Sequence, residues 1–230
     1  MNFKVFFITD KNNSQPWVKA QNLLRILPDE IQNSIEKIDK AELDDLDRFN
    51  LKLKPIGLIN QLYISLNPSS IEKHLTHYSI YKKVIEENID CCMVFEDEVV
   101  FSDVINLFFA NPDMPEEIDI VNLSTEGIKK LNAYYLTNQG AKNIVNILED
   151  LKWLNGIKRF GIEDYGSPKE LKDCINFASE PLQDFSVKNQ IIAPIEKIIF
   201  TACQHSKISS RHNISFIHST SNYNTFPIDN

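Results

Sequence analysis

The stretch Cys91-Cys92-Met93-Val94-Phe95 limits the possible folds more than any other part of the chain: five consecutive apolar residues with no polar alternate. A strand with one face in water alternates, whereas a strand covered on both faces runs continuously apolar. Glu96-Asp97-Glu98 follows directly, and Val99-Val100-Phe101 then resumes the apolar run. Three adjacent carboxylates repel one another, and none is easily buried without a partner. The segment therefore either surfaces there as a solvated turn or awaits a positive charge.

The surrounding patterns supply the rest of an α/β layout. Phe3–Thr9 reads as a buried first strand, ended by a polar loop over residues 10–16. Trp17–Leu27 and Asp29–Leu43 carry apolar residues at roughly helical spacing, with Pro28 between them. Ser69-Ser70-Ile71-Glu72 fits a capping box. Ile71, Leu75, Tyr78, Tyr81 and Ile85 follow as one apolar stripe, predicting a helix that ends near Asn88. Ile118–Leu123 and Ala133–Thr137 read as strands, the second leading into a helix from about Gln139 to Trp153. Gly156–Leu171 reads as loop-rich, Asn189–Ala193 as a late strand, and the chain from Ser206 as a polar tail. Strands alternating with helices predict an α/β sheet, parallel at least in part.

At 230 residues the chain has room for one such domain, or for a domain with a small appendage. A formal net charge of −8 argues against nonspecific nucleic-acid binding, which needs clustered Lys and Arg. No apolar run reaches membrane-spanning length, and Met1-Asn2-Phe3-Lys4 enters the first strand with no signal-peptide pattern. Cys91, Cys92, Cys174 and Cys203 show no Cys-x-x-Cys spacing, so free thiols in a reducing cytoplasm are expected.

In an open α/β sheet, ligands bind outside the carboxyl ends of the strands, which is where the acidic triplet falls. If the triplet stays extended, Glu96 and Glu98 project to one side and Asp97 to the other. Two carboxylates on one side form half a cage for Mg²⁺ or Mn²⁺, whose remaining positions suit waters and diphosphate oxygens. A plain solvated corner has the same composition. His74 and His77 are neighbours on the capped helix. No further His or Cys stands at zinc-ligand spacing beside them, and a partly buried pair is the simpler reading, preferred for His74.

Leu66–Phe101 ("LNPSSIEKHLTHYSIYKKVIEENIDCCMVFEDEVVF") resembles the most characteristic block of glycosyltransferase family 25. These are lipooligosaccharide-type transferases of bacterial envelopes, with collagen-modifying relatives. Leu75-Thr76-His77 sits on the family's Leu-Ser-His, Ile80–Ile85 on its helix, and Glu96-Asp97-Glu98 on its Glu-Asp-Asp. Leu131–Leu148 is similar to the family's Ala-Tyr-(Leu/Ile)-(Ile/Thr)-x-x-Gly-Ala segment, and Asp184 stands at the looser match to a later acid.

The resemblance implies a GT-A-like Rossmann-type sheet flanked by helices. It implies one glycosyltransferase domain over residues 1–205, with residues 206–230 a tail that packs on it or not. The implied reaction is inverting transfer of a hexose, galactose or glucose, from a UDP-sugar to a lipooligosaccharide or other envelope saccharide acceptor. Mn²⁺ or Mg²⁺ would sit at Glu96 and Glu98, with Thr9, Thr76 and Asp97 as donor-binding residues. Asp184 and His77 are the catalytic candidates, with Asp164 and Glu180 as rivals to Asp184 as base. A lipid-linked acceptor leaves peripheral association with the inner membrane open, though no strong basic amphipathic helix is seen.

The chain also departs from the family pattern. Glu72-Lys73 replaces Gly-Cys, Glu98 replaces the third Asp, only Lys11 and Lys19 follow the first strand, and the connection from Asn122 to Tyr134 is short. These departures keep two alternatives: a non-catalytic saccharide- or partner-binding member of the fold, and a metal-dependent phosphate-ester hydrolase.

Overall fold

Cys91–Phe95 is an interior strand of a mixed sheet in the computed structural model of the protein. The structure describes residues 2–11, 13, 15, 17–18, 21, 29–49, 52–53, 68–97, 99–101, 118–124, 131–150, 190–191 and 195–219. Numbered along these residues, the strands are β1 (Phe3–Thr9), β2 (Ile35–Asp39), β3 (Lys52–Leu53), β4 (Cys91–Phe95), β5 (Val99–Phe101), β6 (Ile120–Ser124), β7 (Ala133–Thr137), β8 (Gln190–Ile191) and β9 (Ser210–Ser219). The helices are α1 (Asp29–Gln32), α2 (Asp45–Arg48), α3 (Pro68–Glu86), α4 (Asn138–Glu149) and α5 (Ile195–Gln204). The chain divides into two units. One comprises Met1–Lys40, Lys83–Ala141 and Ser209–Asn230, the other Ala41–Lys82 and Lys142–Ile208.

The first unit is built on a seven-stranded sheet of order β2-β1-β4-β7-β6-β9-β5. β1 pairs in parallel with β2 on one side and β4 on the other. β7 runs antiparallel between β4 and β6. β9 pairs in parallel with β6 and antiparallel with β5. Val5, Phe7, Cys91, Met93, Phe95, Val121, Ala133 and Tyr135 form one packed face, against which Phe3, Trp17, Ile31 and Ile35 lie. Phe6, Ile8, Cys92, Val94, Tyr134 and Leu136, pointing the other way, are buried as well. Burial on both faces is what the unbroken apolar run of β4 requires. The α/β expectation holds, with the sheet parallel in part.

Three sequence expectations need correcting. Asp29–Leu43 is not one helix: α1 is a single turn, and Ile35–Asp39 is a strand in register with Val5–Thr9. Ile31, Ile35 and Ile38 have helical spacing, but pairing with β1 overrides that weak period on a half-buried edge. The capping box also fails. α3 starts at Pro68, so Ser69 lies inside the helix and Pro68 takes the first helical position, where its missing N–H goes unmissed. Finally, Ser210–Ser219, read from the sequence only as part of a polar tail, form β9, a full member of the sheet.

Both junctions flanking β4 and β7 are closed by local chemistry. After α3, Asn88 adopts φ 49°. The Ile89 N–H donates to the Val84 carbonyl at 3.0 Å and the Asn88 N–H to the Ile85 carbonyl at 3.3 Å. That is a Schellman ending with Asn88 in the left-handed position, near the stop the sequence predicts. At the start of α4, Thr137 Oγ1 accepts the Gly140 N–H at 2.9 Å, a standard N-cap. Asn138 Nδ2 donates to the Val84 and Ile89 carbonyls, both at 3.0 Å, tying that cap to the end of α3.

The second unit holds α2, the two-stranded parallel pair β3 and β8, α5, and most of α3 and α4. Tyr78 Oη donates to Glu149 Oε1 at 2.5 Å, Phe49 stacks edge-on against Tyr78, and Lys73 pairs with Glu196 at 2.8 Å. Lys73, one of the residues departing from the family pattern, is thus part of an ion pair here.

Candidate functional site

The chain leaves β1 toward β2 on one side of the sheet, while β4 flanks β1 on the other. Connections that diverge in this way open a crevice at the carboxyl ends of the strands, the usual ligand position in open α/β sheets. Thr9 and Asp10 end β1, Asp39 and Lys40 end β2, and Glu96 and Asp97 end β4. Parallel pairing of all three strands brings these ends to the same edge.

Thr9 is buried, and its hydroxyl donates to the Asn13 carbonyl at 3.2 Å, fixing the loop after β1. The Thr9 carbonyl accepts the Lys40 N–H at 3.0 Å, which carries the β1–β2 ladder one residue further. Lys40 Nζ meets Asp97 Oδ2 at 2.8 Å, with side-chain exposures of 42% and 12%. Glu96 is 8% exposed, and its N–H donates to the Asn132 carbonyl at 2.8 Å.

The Glu96 carbonyl accepts the Val99 N–H at 3.1 Å, so the chain turns between β4 and β5. Glu96 and Asp97 lead into this turn, and Glu98, expected to project to the same side as Glu96, lies outside the described residues. The local reason is that β5 leaves to pair with β9, which forces the chain to turn at β4's end.

Thr76 and His77 lie on α3 in the second unit, both buried. Thr76 Oγ1 donates to the Glu72 carbonyl at 2.7 Å and accepts the Ala41 N–H at 2.8 Å. The His77 ring lies 6.3 Å from that of Tyr81, centroid to centroid. Glu98, Asp164, Glu180 and Asp184 fall outside the described residues.

Sequence reasoning passed over Lys40. It lay inside a segment read as helix, where a lysine is an ordinary surface residue. Reading Ile35–Asp39 as a strand would have placed it at the sheet's carboxyl edge.

The donor set can be tested against the implied divalent ion. Among the described residues no group of three or more His, Cys, Asp and Glu side chains gathers as a cation cage. One Asp97 oxygen already holds an ammonium, and a divalent ion on Asp97 would repel that ammonium. Of the two ligands the resemblance implies, Glu96 is buried at the end of β4 and Glu98 lies outside the described residues.

Residues 74–124 carry a glycosyltransferase segment: they match a family of such enzymes, so a nucleotide-sugar donor and a saccharide acceptor are implied. The family is glycosyltransferase family 25 (LPS biosynthesis protein), the one resembled by the first sequence block, and the match runs from His74 on α3 through β4 and β5 to the end of β6. The second block, Leu131–Leu148, lies beyond the matched segment. No curated protein matches the chain. Among solved structures, the crystal structure of mouse xyloside xylosyltransferase 1, apo form, is similar at a TM-score of 0.42 and 8% identity, covering 98% of this chain and 87% of that one. Among the described residues no helix is long and apolar enough to cross a membrane.

Proposed function

We propose that the chain is a glycosyltransferase of GT-A-like fold, with the transferase sheet completed by β9 beyond residue 205. It moves a hexose, galactose or glucose, from a UDP-sugar to a lipooligosaccharide or related envelope saccharide, with inversion. The observation that carries the reading is the position of the family 25 segment. Its acidic triplet follows β4, beside β1, at the edge where an open α/β sheet binds ligands. Thr9 shapes the loop there, and Glu96 and Asp97 line the same edge.

An inverting transfer needs a base for the acceptor hydroxyl's proton, in line with the leaving diphosphate. Asp184 is the candidate, with Asp164 and Glu180 as alternatives and His77 as a further candidate. Work in the cytoplasm, at the inner face of the membrane that holds a lipid-linked acceptor, follows from this reading. Glu96 and Glu98 are the candidate ligands for Mn²⁺ or Mg²⁺, which would neutralise the leaving diphosphate.

The test follows melting temperature against a panel of UDP-, GDP- and CMP-sugars, with and without Mn²⁺, and then transfer to truncated lipooligosaccharide. A ligand at a hundredfold excess over its Kd stabilises by about 2.7 kcal/mol, enough to read. A response to one UDP-sugar, with transfer abolished by Asp184→Asn, is expected. Neither binding nor turnover of any nucleotide sugar would sink the reading. One observation favours the non-catalytic alternative: the side chains of Thr76 and Asp97 are engaged by protein partners. Saccharide binding without transfer would select it.

A further inference from the structure

We propose that Lys40, held across the end of β1 by Asp97, is the positive charge that meets the donor's diphosphate. The inference rests on the transferase reading and concerns the same sheet edge. β2 and β4 flank β1, so with strands about 4.8 Å apart their ends lie roughly 10 Å from each other. The Lys40 and Asp97 side chains close that gap at 2.8 Å, directly over the Thr9 end of β1. The ammonium thus stands at the switch point of the sheet.

Two constraints fix it there. The Lys40 N–H is bound to the Thr9 carbonyl at 3.0 Å, and the Nζ is bound to a carboxylate that is 12% exposed. An ammonium carries three N–H donors. One goes to Asp97, and among the described residues no other acceptor engages Nζ. At 42% exposure the remaining donors can be reached from solvent. As a stabilising device a pair whose lysine is this exposed contributes little. As a pre-positioned cation it needs no reorganisation when an anion arrives.

In the transfer, the bond from the anomeric carbon to the diphosphate oxygen breaks, and its electron pair leaves with the nucleoside diphosphate. The acceptor oxygen bonds to that carbon, and its proton passes to the base. The charge gained by the leaving diphosphate is what Lys40 stabilises, a task the family resemblance gives to a divalent ion. Asp97 is then a positioning residue for Lys40 and not itself a diphosphate ligand.

The test measures binding of UDP, and of UDP-galactose, to the full chain by calorimetry, in EDTA and in Mn²⁺. Wild type, Lys40→Met, Lys40→Arg and Asp97→Asn are compared, each first checked for unchanged circular dichroism. The expected result is binding in EDTA that falls at least about tenfold in Lys40→Met, the scale of one charge-assisted hydrogen bond. Lys40→Arg restores most of it, and Asp97→Asn gives an intermediate loss. Binding that requires Mn²⁺ and is the same in Lys40→Met would overturn the role of Lys40 while leaving the transferase intact. No binding of either nucleotide by wild type in either buffer would overturn both.

Discussion

Gly140 lies against the backbone of Asp119: a β-carbon on Gly140 would come within 2.7 Å of the Asp119 carbonyl carbon and 2.8 Å of its Cα, besides meeting the carbonyl oxygen. Thr137, three residues earlier, donates its hydroxyl to the Ile118 carbonyl and its N–H to that of Asp119, drawing the start of α4 onto the entry to β6. The Gly-Ala pair in Leu131–Leu148, part of the family resemblance, thus has a packing explanation.

Gly140→Ala is therefore expected to destabilise strongly, by about 3 kcal/mol or more, because the atoms it meets are main chain and cannot rotate away. Exposed Lys142 on the same helix is the control, and Lys142→Ala should be nearly silent. Urea unfolding of both variants checks this. An unchanged midpoint for Gly140→Ala would mean that the two segments are not held together as described.

Asn88 supports a second prediction. Its φ of 49° is reached at low strain by glycine or asparagine and at about 1–2 kcal/mol by other residues. Asn88→Gly should leave stability nearly unchanged, whereas Asn88→Val should lower it by about that amount. The comparison needs only melting curves, and equal effects of the two substitutions would remove the Schellman ending as the cause.

The thiols of β4 predict alkaline sensitivity. Burial pushes the Cys92 thiol well above its ordinary value, and the neighbouring Cys91 adds to the effect. Burial also raises Cys91 and Tyr135, which share a hydrogen bond. The folded chain therefore keeps these protons at a pH where the unfolded chain has released them. Their contribution to stability is full below pH 9.0, the ordinary value for a thiol, and falls as pH rises toward the higher folded values. Each group that titrates adds a slope of at most about 1.4 kcal/mol per pH unit. Urea midpoints between pH 7 and 10.5 should decline more gently in Cys92→Ala than in wild type. Parallel declines would assign the sensitivity elsewhere.

What could be read in advance follows from how each element is held. β4 was legible because burial on both faces leaves no polar position in Cys91–Phe95, and β7 matched its predicted bounds for the same reason. β2 was not, since a half-buried edge strand carries Ile35 and Ile38 at a spacing that also suits a helix. That error hid Lys40, the residue the sheet brings to Asp97. β9 was missed because ladder hydrogen bonds are made by the main chain and do not require apolar side chains. The turn at Glu96–Val99, closed by the Val99 N–H on the Glu96 carbonyl, depends on where β5 finds its partner, a long-range pairing that local composition does not encode.

Thr76 separates two roles that its place in the family block leaves open. Its hydroxyl bridges the Glu72 carbonyl and the Ala41 N–H, and the residue is buried, so the structure uses it as a fastener between α3 and the segment that precedes α2. Thr76→Val keeps the shape and removes both hydrogen bonds, leaving the Ala41 N–H without its acceptor. A loss of about 1–2 kcal/mol is expected. Thr76→Ser keeps the hydroxyl and should retain most of the stability. If Thr76 instead served the donor, the valine variant would melt like wild type without ligand and lose its response to UDP-sugar. Melting both variants with and without UDP-galactose therefore assigns the residue: a lower melting temperature in the ligand-free valine variant makes it a fastener, and a selective loss of the ligand response makes it part of the site.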